Sequence, residues 1–329
     1  MTQTSSTSSS RLTGDSIAEL AGRIAANVAS VIRGKPEVIR LALVALLCEG
    51  HVLIEDVPGV GKTTLARALA ASVSASWRRI QFTPDLLPAD LTGSMVYHQH
   101  DEEFRFHPGP VFANIVLADE INRASPKTQS ALLEVMQERH VTVDGRPHQV
   151  PRPFLVIATQ NPVEMDGTYR LPEAQLDRFL LRLSIGYPSP EAEAAVLDHE
   201  AQEPSVDRLQ TVVGANDVLQ MGELAGRVHA DPRLRDYVIG LAAHTRRLPE
   251  VRLGVSPRGS LSLLRAARAN AALSGRAYVT ADDVKALAAP ALAHRLILNP
   301  QAQLAGTTAE SVVAATLQAV PVPTSVDPR

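Results

Sequence analysis

Pro58-Gly59-Val60-Gly61-Lys62-Thr63-Thr64 decides how the rest of this chain is read. It follows an apolar run, His51-Val-Leu-Ile-Glu55, and opens a helix-like run, Thr64-Leu-Ala-Arg-Ala-Leu-Ala-Ala71. Strand, Gly-rich turn and helix in that order form a phosphate cradle. Gly59 and Gly61 allow close approach of the backbone, and the amides at the helix start, with its dipole, favour negative charge. Lys62 can reach the β- and γ-phosphates of a nucleotide, and the Thr63 hydroxyl can ligate Mg²⁺. The strict pattern places Gly at position 56, where this chain has Asp56.

A second stretch supplies the other half of such a site. Asn114-Ile-Val-Leu-Ala-Asp119-Glu120 is an apolar strand ending in two adjacent carboxylates, 57 residues after Lys62. At the C-terminal end of a strand both can reach the ligand-binding edge of a sheet. Read alone, such a pair is a solvated loop. Behind a phosphate cradle, Asp119 is placed to hold Mg²⁺, directly or through water, and Glu120 to deprotonate an attacking water. Together the two stretches predict a Mg-ATP site.

The chain has 329 residues, 45% of them hydrophobic and 20% charged, enough for about two domains with real cores. A net charge of −3 gives no global basic field to attract nucleic acid. Cys48 is the single cysteine, which excludes an intramolecular disulfide and a cysteine zinc site. Its apolar surroundings, Leu41 to Leu47, predict a buried structural thiol. The Ser/Thr-rich start lacks a signal-peptide core, and no apolar run reaches ~18 residues. The expected location is the cytoplasm.

Strand-like and helix-like runs alternate through the first half. Besides His51–Glu55 and Ile115–Asp119, strands are expected at Trp77–Phe82, Phe154–Thr159 and Leu180–Ile185. This alternation predicts a parallel sheet covered by helices. Helices are expected before it, over 16–32 and 36–48. After Tyr187 helices take over: Asp231-Pro232, Ser256-Pro257 and Thr280-Ala-Asp-Asp283 each read as a helix start. The expected division is a disordered tail over 1–14, an α/β nucleotide-binding domain over 15–189, an all-helical domain over 190–305, and a short helix with an extended tail over 306–329.

Two hairpins interrupt the first domain. One spans Val96–Phe106, and the other spans His140–Val150 around Asp144-Gly145. The residues His98, His100, Asp101 and His107 need no metal; exposed hairpin positions account for them. Val156-Ile-Ala-Thr-Gln-Asn161-Pro162 is a buried strand ending in polar residues. Alone, Asn-Pro is a common turn. Beside the Asp119-Glu120 strand, Asn161 could hold the attacking water or sense the γ-phosphate.

With these residues in hand the chain resembles the MoxR family of AAA+ ATPases, in the helix-2-insert clade. The resemblance is carried by Glu55–Thr63, Asp119-Glu-Ile-Asn-Arg-Ala124, Gln129-Ser-Ala-Leu-Leu-Glu134, Ala158-Thr-Gln-Asn-Pro162, Leu171–Phe179 and Ser256-Pro-Arg-Gly259. It covers about residues 15 to 320. Asp at position 56 is usual in that family.

The resemblance implies a sheet of order 5-1-4-3-2, a helical lid, and a ring, usually of six copies. It also implies roles. Pro58 to Thr64 hold phosphates, with Lys62 and Thr63 as the Walker A pair. Asp119 and Glu120 are the Walker B pair, Asn161 is sensor 1, Arg178 the arginine finger and Arg258 sensor 2. Val31, Ile32 and Gly34 contact adenine. By residues alone, Arg178 could equally pair with Asp177 or Glu173, and Arg258 could be a surface arginine. ATP and Mg²⁺ are the implied cofactors, with ATP between the α/β domain and the lid. The implied activity is chaperone-like remodelling or maturation of partner complexes, often by metal or cofactor insertion and often with a von Willebrand factor A domain protein. Three other readings stand beside it. One is the ATPase subunit of a magnesium or cobalt chelatase, against which the wording around Asn122-Arg123 and Gln160-Asn161 speaks. Another is a DNA motor related to MCM or RuvB proteins, against which the negative charge and the lack of a winged helix speak. The third is a scaffold that binds ATP without turning it over.

Overall fold

The computed structural model describes residues 14–161, 168–169, 171–188, 190, 193 and 206–323. The tail expected over 1–14 lies outside these except for Gly14, as do Pro162 and 324–329.

Helix α1 (Gly14–Ala29) presents Ile17, Ala21, Ile24 and Val28 at helical spacing, and all four are buried. It stops at Ala29, so Val31 and Ile32 lie in the turn that follows. Helix α2 (Pro36–Leu47) starts on a proline whose fixed φ suits a first turn. It is apolar almost all round and buries eight residues, because it is covered by α1, the sheet and the helical half.

The chain then lays down β1 (His51–Glu55), α3 (Lys62–Ser72), β2 (Trp77–Gln81), α4 (Pro88–Thr92), β3 (Gly93–His98), β4 (Glu103–Pro108) and β5 (Ile115–Asp119). After these come α5 (Pro126–Glu138), β6 (His140–Val143), β7 (Arg146–Gln149), β8 (Leu155–Gln160), α6 (Glu173–Leu176) and β9 (Phe179–Leu183). Strands β2-β5-β8-β1-β9 form one five-stranded sheet, parallel throughout. This is the order expected. β5, β8 and β1 are unbroken apolar runs, as strands buried on both faces must be. Their register aligns Glu55 with Gln160, and Gln81 with Asp119. The C-terminal ends of four strands thus share one edge, where open α/β sheets bind ligands. At the opposite edge the buried His51 ring stitches three elements: Nε2 lies 2.9 Å from the Met136 carbonyl, and Nδ1 accepts from the Val156 amide at 3.0 Å. Trp77 packs against the core with the Arg67 guanidinium 5.6 Å from its ring.

Both hairpins are present. Asp144 and Gly145 take the positive φ values that a two-residue turn demands. The first hairpin has an exposed arm pair, Tyr97 and Phe104, with rings 5.2 Å apart. At its base Phe106 stacks on His148 of the second hairpin at 4.0 Å. Asp101 pairs with Arg105 at 2.7 Å.

The second half contains α7 (Ala215–Gly226), α8 (Pro232–Thr245), β10 (Val251–Leu253), α9 (Pro257–Leu273), α10 (Ala281–Leu292), β11 (Ile297–Leu298), α11 (Pro300–Leu304) and α12 (Ala309–Ala319). The three expected starts hold. The Asp231 and Ser256 side chains accept first-turn amides, and Thr280 and Asp283 form a reciprocal capping box. The half is helical but not purely so: β10 and β11 pair as a small antiparallel ribbon. Segments of three and two residues are too short to show alternation in sequence. Both halves share one buried cluster, into which α1 and α2 project. Cys48 keeps some exposed surface, but its thiol, 3.6 Å from the Arg265 carbonyl, is shut away from solvent, and this desolvation pushes it up to about 12. Among the described residues no helix is long and apolar enough to cross a membrane.

Candidate active site

The turn between β1 and α3 has Gly59 at φ 84° and Gly61 at φ 92°, left-handed values that favour glycine. It opens directly onto the first residues of α3, Lys62, Thr63 and Thr64. A cleft of ≈ 370 Å³ is lined by Pro58, Gly59, Gly61, Lys62, Thr63, Thr64, Arg79, Asp119, Glu120 and Asn161. The sequence-predicted phosphate loop, both carboxylates and the buried Asn161 therefore face one space.

Backbone geometry brings the two carboxylates together. Adjacent strand residues point to opposite faces, but Glu120 leaves the strand in a left-handed conformation, φ 56° and ψ 49°. That turn directs Glu120 into the same cleft as Asp119. Thr159 fixes it, accepting from the Glu120 amide at 2.9 Å and donating to Asp119 Oδ1 at 2.6 Å. Strand β2 supplies the other supports. Arg79 donates to Asp119 Oδ2, and Gln81 Nε2 donates to Glu120 Oε2 at 2.7 Å. Arg123 stands 3.2 Å from the same Glu120 oxygen. Behind them the buried Gln129 amide donates to the carbonyls of Ile121, Ala124 and Tyr169. This explains why a glutamine sits on an apolar helix face.

Lys62 Nζ donates to the Asp56 carbonyl at 2.7 Å. Partial burial lowers its pKa, against the opposing pull of the Asp119, Asp56 and Glu120 carboxylates. The Thr63 hydroxyl and the Asp119 carboxylate are hard oxygen donors on one cleft, the donor set that suits Mg²⁺ together with phosphate oxygens.

Val31, Ile32 and Gly34 do not line this cleft, though Ile32 lies beside the loop. A Cβ at Gly61 would stand 3.6 Å from Ile32 Cδ1, and Val31 packs on the core. Lys35, next in sequence, donates to the Tyr187 carbonyl at 2.7 Å.

Arg178 and Arg258 are elsewhere. They line a separate hollow of ≈ 220 Å³, together with Gly50, His51 and Met136. Phe179 pairs with His51 at the start of β1, so this hollow lies at the sheet edge opposite the phosphate loop. The length of β9, roughly 13 Å at ~3.3 Å per residue, separates the two edges. Arg258, expected as sensor 2, does not line the phosphate-loop cleft, and no residue of the helical half lines it among the described residues. The start of α9 is anchored to the start of β9: Ser256 Oγ donates to Asp177 at 3.1 Å, and the buried Arg295 donates to the same carboxylate at 2.7 Å. Gly259 fits against Val255 and Arg295, where a Cβ would meet atoms at 2.6 and 2.9 Å. The carboxylates beside Arg178 pair with other arginines, Asp177 with Arg295 and Glu173 with Arg252. Neither Arg178 nor Arg258 forms an ion pair among the described residues.

A larger hollow of ≈ 460 Å³ beside it contains Arg139, Arg152, Arg265 and Arg268. Its arginines are used structurally: the first two pair with Glu49, and the others donate to the carbonyls of Cys48 and Gly226.

This fold and cleft define a P-loop ATPase of the AAA class. Residues 51–181 match the model of the ATPase family associated with various cellular activities (AAA), and 243–316 match the AAA lid domain. The uncharacterized protein YeaC of Bacillus subtilis (strain 168) is 50% identical over 304 residues, 92% of this chain and 95% of that one. Chaperone MoxR1 of Mycobacterium tuberculosis is 44% identical over 306 residues, 90% of this chain and 80% of that one. A crystal structure from Cytophaga hutchinsonii, described as a candidate ATPase, superposes with TM-score 0.88 at 37% identity, covering 94% of this chain and 97% of that one. The 38 kDa magnesium-chelatase subunit of Cereibacter sphaeroides is more distant, at 28% identity over 292 residues, 76% of this chain and 86% of that one. The chain belongs to the MoxR family of AAA+ ATPases.

Proposed function

We propose that this protein hydrolyses ATP at the interfaces of a ring of its own copies, six in number, and uses the cycle to remodel partner proteins. One observation carries the reading. Lys62, Thr63, Asp119, Glu120 and Asn161 face one cleft, while Arg178 and Arg258, which form no ion pair among the described residues, line a hollow at the far edge of the same sheet. A cleft at one edge and two guanidiniums at the other suit copies packed head to tail.

In this account Lys62 leaves the Asp56 carbonyl for the β- and γ-phosphates, and the amides of Gly59 to Thr64 cradle them, with Pro58 shaping the turn before them. Val31, Ile32 and Gly34 meet the adenine. Thr63 and Asp119 hold Mg²⁺, which when bound neutralises charge on the phosphate oxygens. Glu120, oriented by Gln81, takes the proton of the attacking water, and Asn161 positions that water. Arg178 and Arg258 of the neighbouring copy complete the site. Residues 15–189 form the nucleotide-binding unit, 190–305 the lid, and 306–329 a helix and tail. The name of the mycobacterial relative supports a chaperone role. A client complex, a von Willebrand factor A domain partner, metal or cofactor insertion and a cytoplasmic location are parts of the same proposal.

The test is steady-state phosphate release by purified protein, with Glu120→Gln alongside. The variant should bind ATP normally and lose about 10²–10⁴-fold in turnover. Undiminished turnover would remove Glu120 from the chemistry.

A further inference from the structure

Asp56 occupies the phosphate-loop position where the strict pattern has glycine, and nothing above gives its carboxylate a task. Its side chain does not line the nucleotide cleft. It is buried and turned toward the chain leaving β9. The carboxylate accepts from Ser184 Oγ at 3.2 Å, from the Ile185 amide, and from the Gly186 amide at 3.3 and 3.2 Å. Gly186 adopts φ 66°, so the chain turns directly after these two amides. The next residue, Tyr187, gives its carbonyl to Lys35. The segment 184–187 is therefore clamped between the phosphate loop and the stretch that follows α1. It is also the start of the connection from the sheet to the helical half. The main chain of Asp56 meanwhile holds Lys62 Nζ, and its amide donates to the Gln160 carbonyl at 3.3 Å, next to Asn161.

One residue thus touches the phosphate-binding lysine through its carbonyl and the sheet-to-lid connection through its carboxylate. We propose that Asp56 is a positioning residue that reports nucleotide occupancy to the helical half. When Lys62 moves onto a phosphate, the Asp56 carbonyl loses that donor, and the shift of this residue is passed to the amides of Ile185 and Gly186. Glycine at position 56 would bind phosphate equally well and leave both amides without their acceptor. The inference rests on the ATP reading of Lys62.

Amide hydrogen exchange at Ile185 and Gly186, read in the full-length protein with and without a slowly hydrolysed ATP analogue and Mg²⁺, measures the clamp directly. In the wild type both amides should be protected, and the analogue should change their exchange severalfold. Asp56→Gly and Asp56→Ala, which remove the acceptor, should exchange roughly ten- to hundredfold faster at these amides and lose the response to nucleotide. Their affinity for a fluorescent ADP should stay within about threefold of wild type, which a merely misfolded loop would not show. Bound analogue with no change at either amide in the wild type would overturn the proposal, and this comparison needs no variant. So would a variant that keeps the nucleotide response. Failure of the wild type to bind nucleotide would instead sink the ATP reading.

Discussion

Arg79 grips a single oxygen of Asp119, Oδ2, with two nitrogens, Nε at 3.1 Å and Nη2 at 2.7 Å. The other oxygen, Oδ1, accepts from Thr159. Both oxygens of the proposed metal ligand are thus engaged, and Mg²⁺ must share or displace one of these donors. Arg79 is half-exposed, so solvent weakens the pair. Arg79→Ala should lower the Mg²⁺ concentration needed for half-maximal ATPase by about two- to fivefold. A magnesium titration of turnover checks this, and a raised requirement would mean that Arg79 holds Asp119 in place for the metal.

The first hairpin carries its exposed aromatic pair, Tyr97 and Phe104, away from the cleft. Replacing His98–Arg105 with a short Gly-Ser turn keeps Phe106 stacked on His148. Basal ATPase should stay near wild type, and stimulation by a partner protein should disappear. Equal loss of basal turnover would assign the hairpin to the ring itself.

Burial pushes His51 down to about 4, with Arg139 and Arg265 acting in the same direction, while the Met136 bond and Glu49 oppose them. The folded state keeps this ring neutral where the unfolded chain protonates it from 6.5 downward. His51 therefore contributes stability above that range, lost as pH falls from 6.5 toward 4. Each pH unit in that window removes up to about 1.4 kcal/mol. His294, also buried and shifted down, adds to the same fall. Urea unfolding at pH 7.5 and pH 5 should show His51→Gln less stable than wild type at pH 7.5 but with a shallower loss on acidification. Parallel pH dependence in the two proteins would remove His51 as the cause.

Much of the fold was legible because it repeats short-range signals. Apolar runs ending at Glu55, Asp119 and Asn161 marked the central strands, and Asp144-Gly145 marked a hairpin by its turn alone. The phosphate loop was legible because its glycines and Lys62 are contiguous. The supports of the site were not. Arg79 reaches Asp119 across 40 residues, and Asp56 reaches Ser184 across 128, so no local pattern links them. Gln81 was hidden within a strand read for its apolar residues. The alternation in β2, with Arg79 and Gln81 exposed around a buried Ile80, was the signal available. Arg258 sits at the start of a helix tied to Asp177 by Ser256, and Asp177 also pairs with Arg295, contacts that join distant parts of the chain.

The central claim is that each nucleotide site is completed by a neighbouring copy, and mixing two inactive variants tests it most directly. Arg178→Ala should bind ATP yet lose on the order of 10³–10⁵ in turnover. Lys62→Ala should be inactive because its own cleft cannot hold the phosphates. In mixed rings, an intact Lys62 cleft from the first variant meets an intact Arg178 edge from the second. Phosphate release should therefore reappear and peak at intermediate mixing ratios. No recovery at any ratio, with mixed rings confirmed by native mass spectrometry, would contradict the account and place Arg178 in its own subunit's site or outside the chemistry altogether.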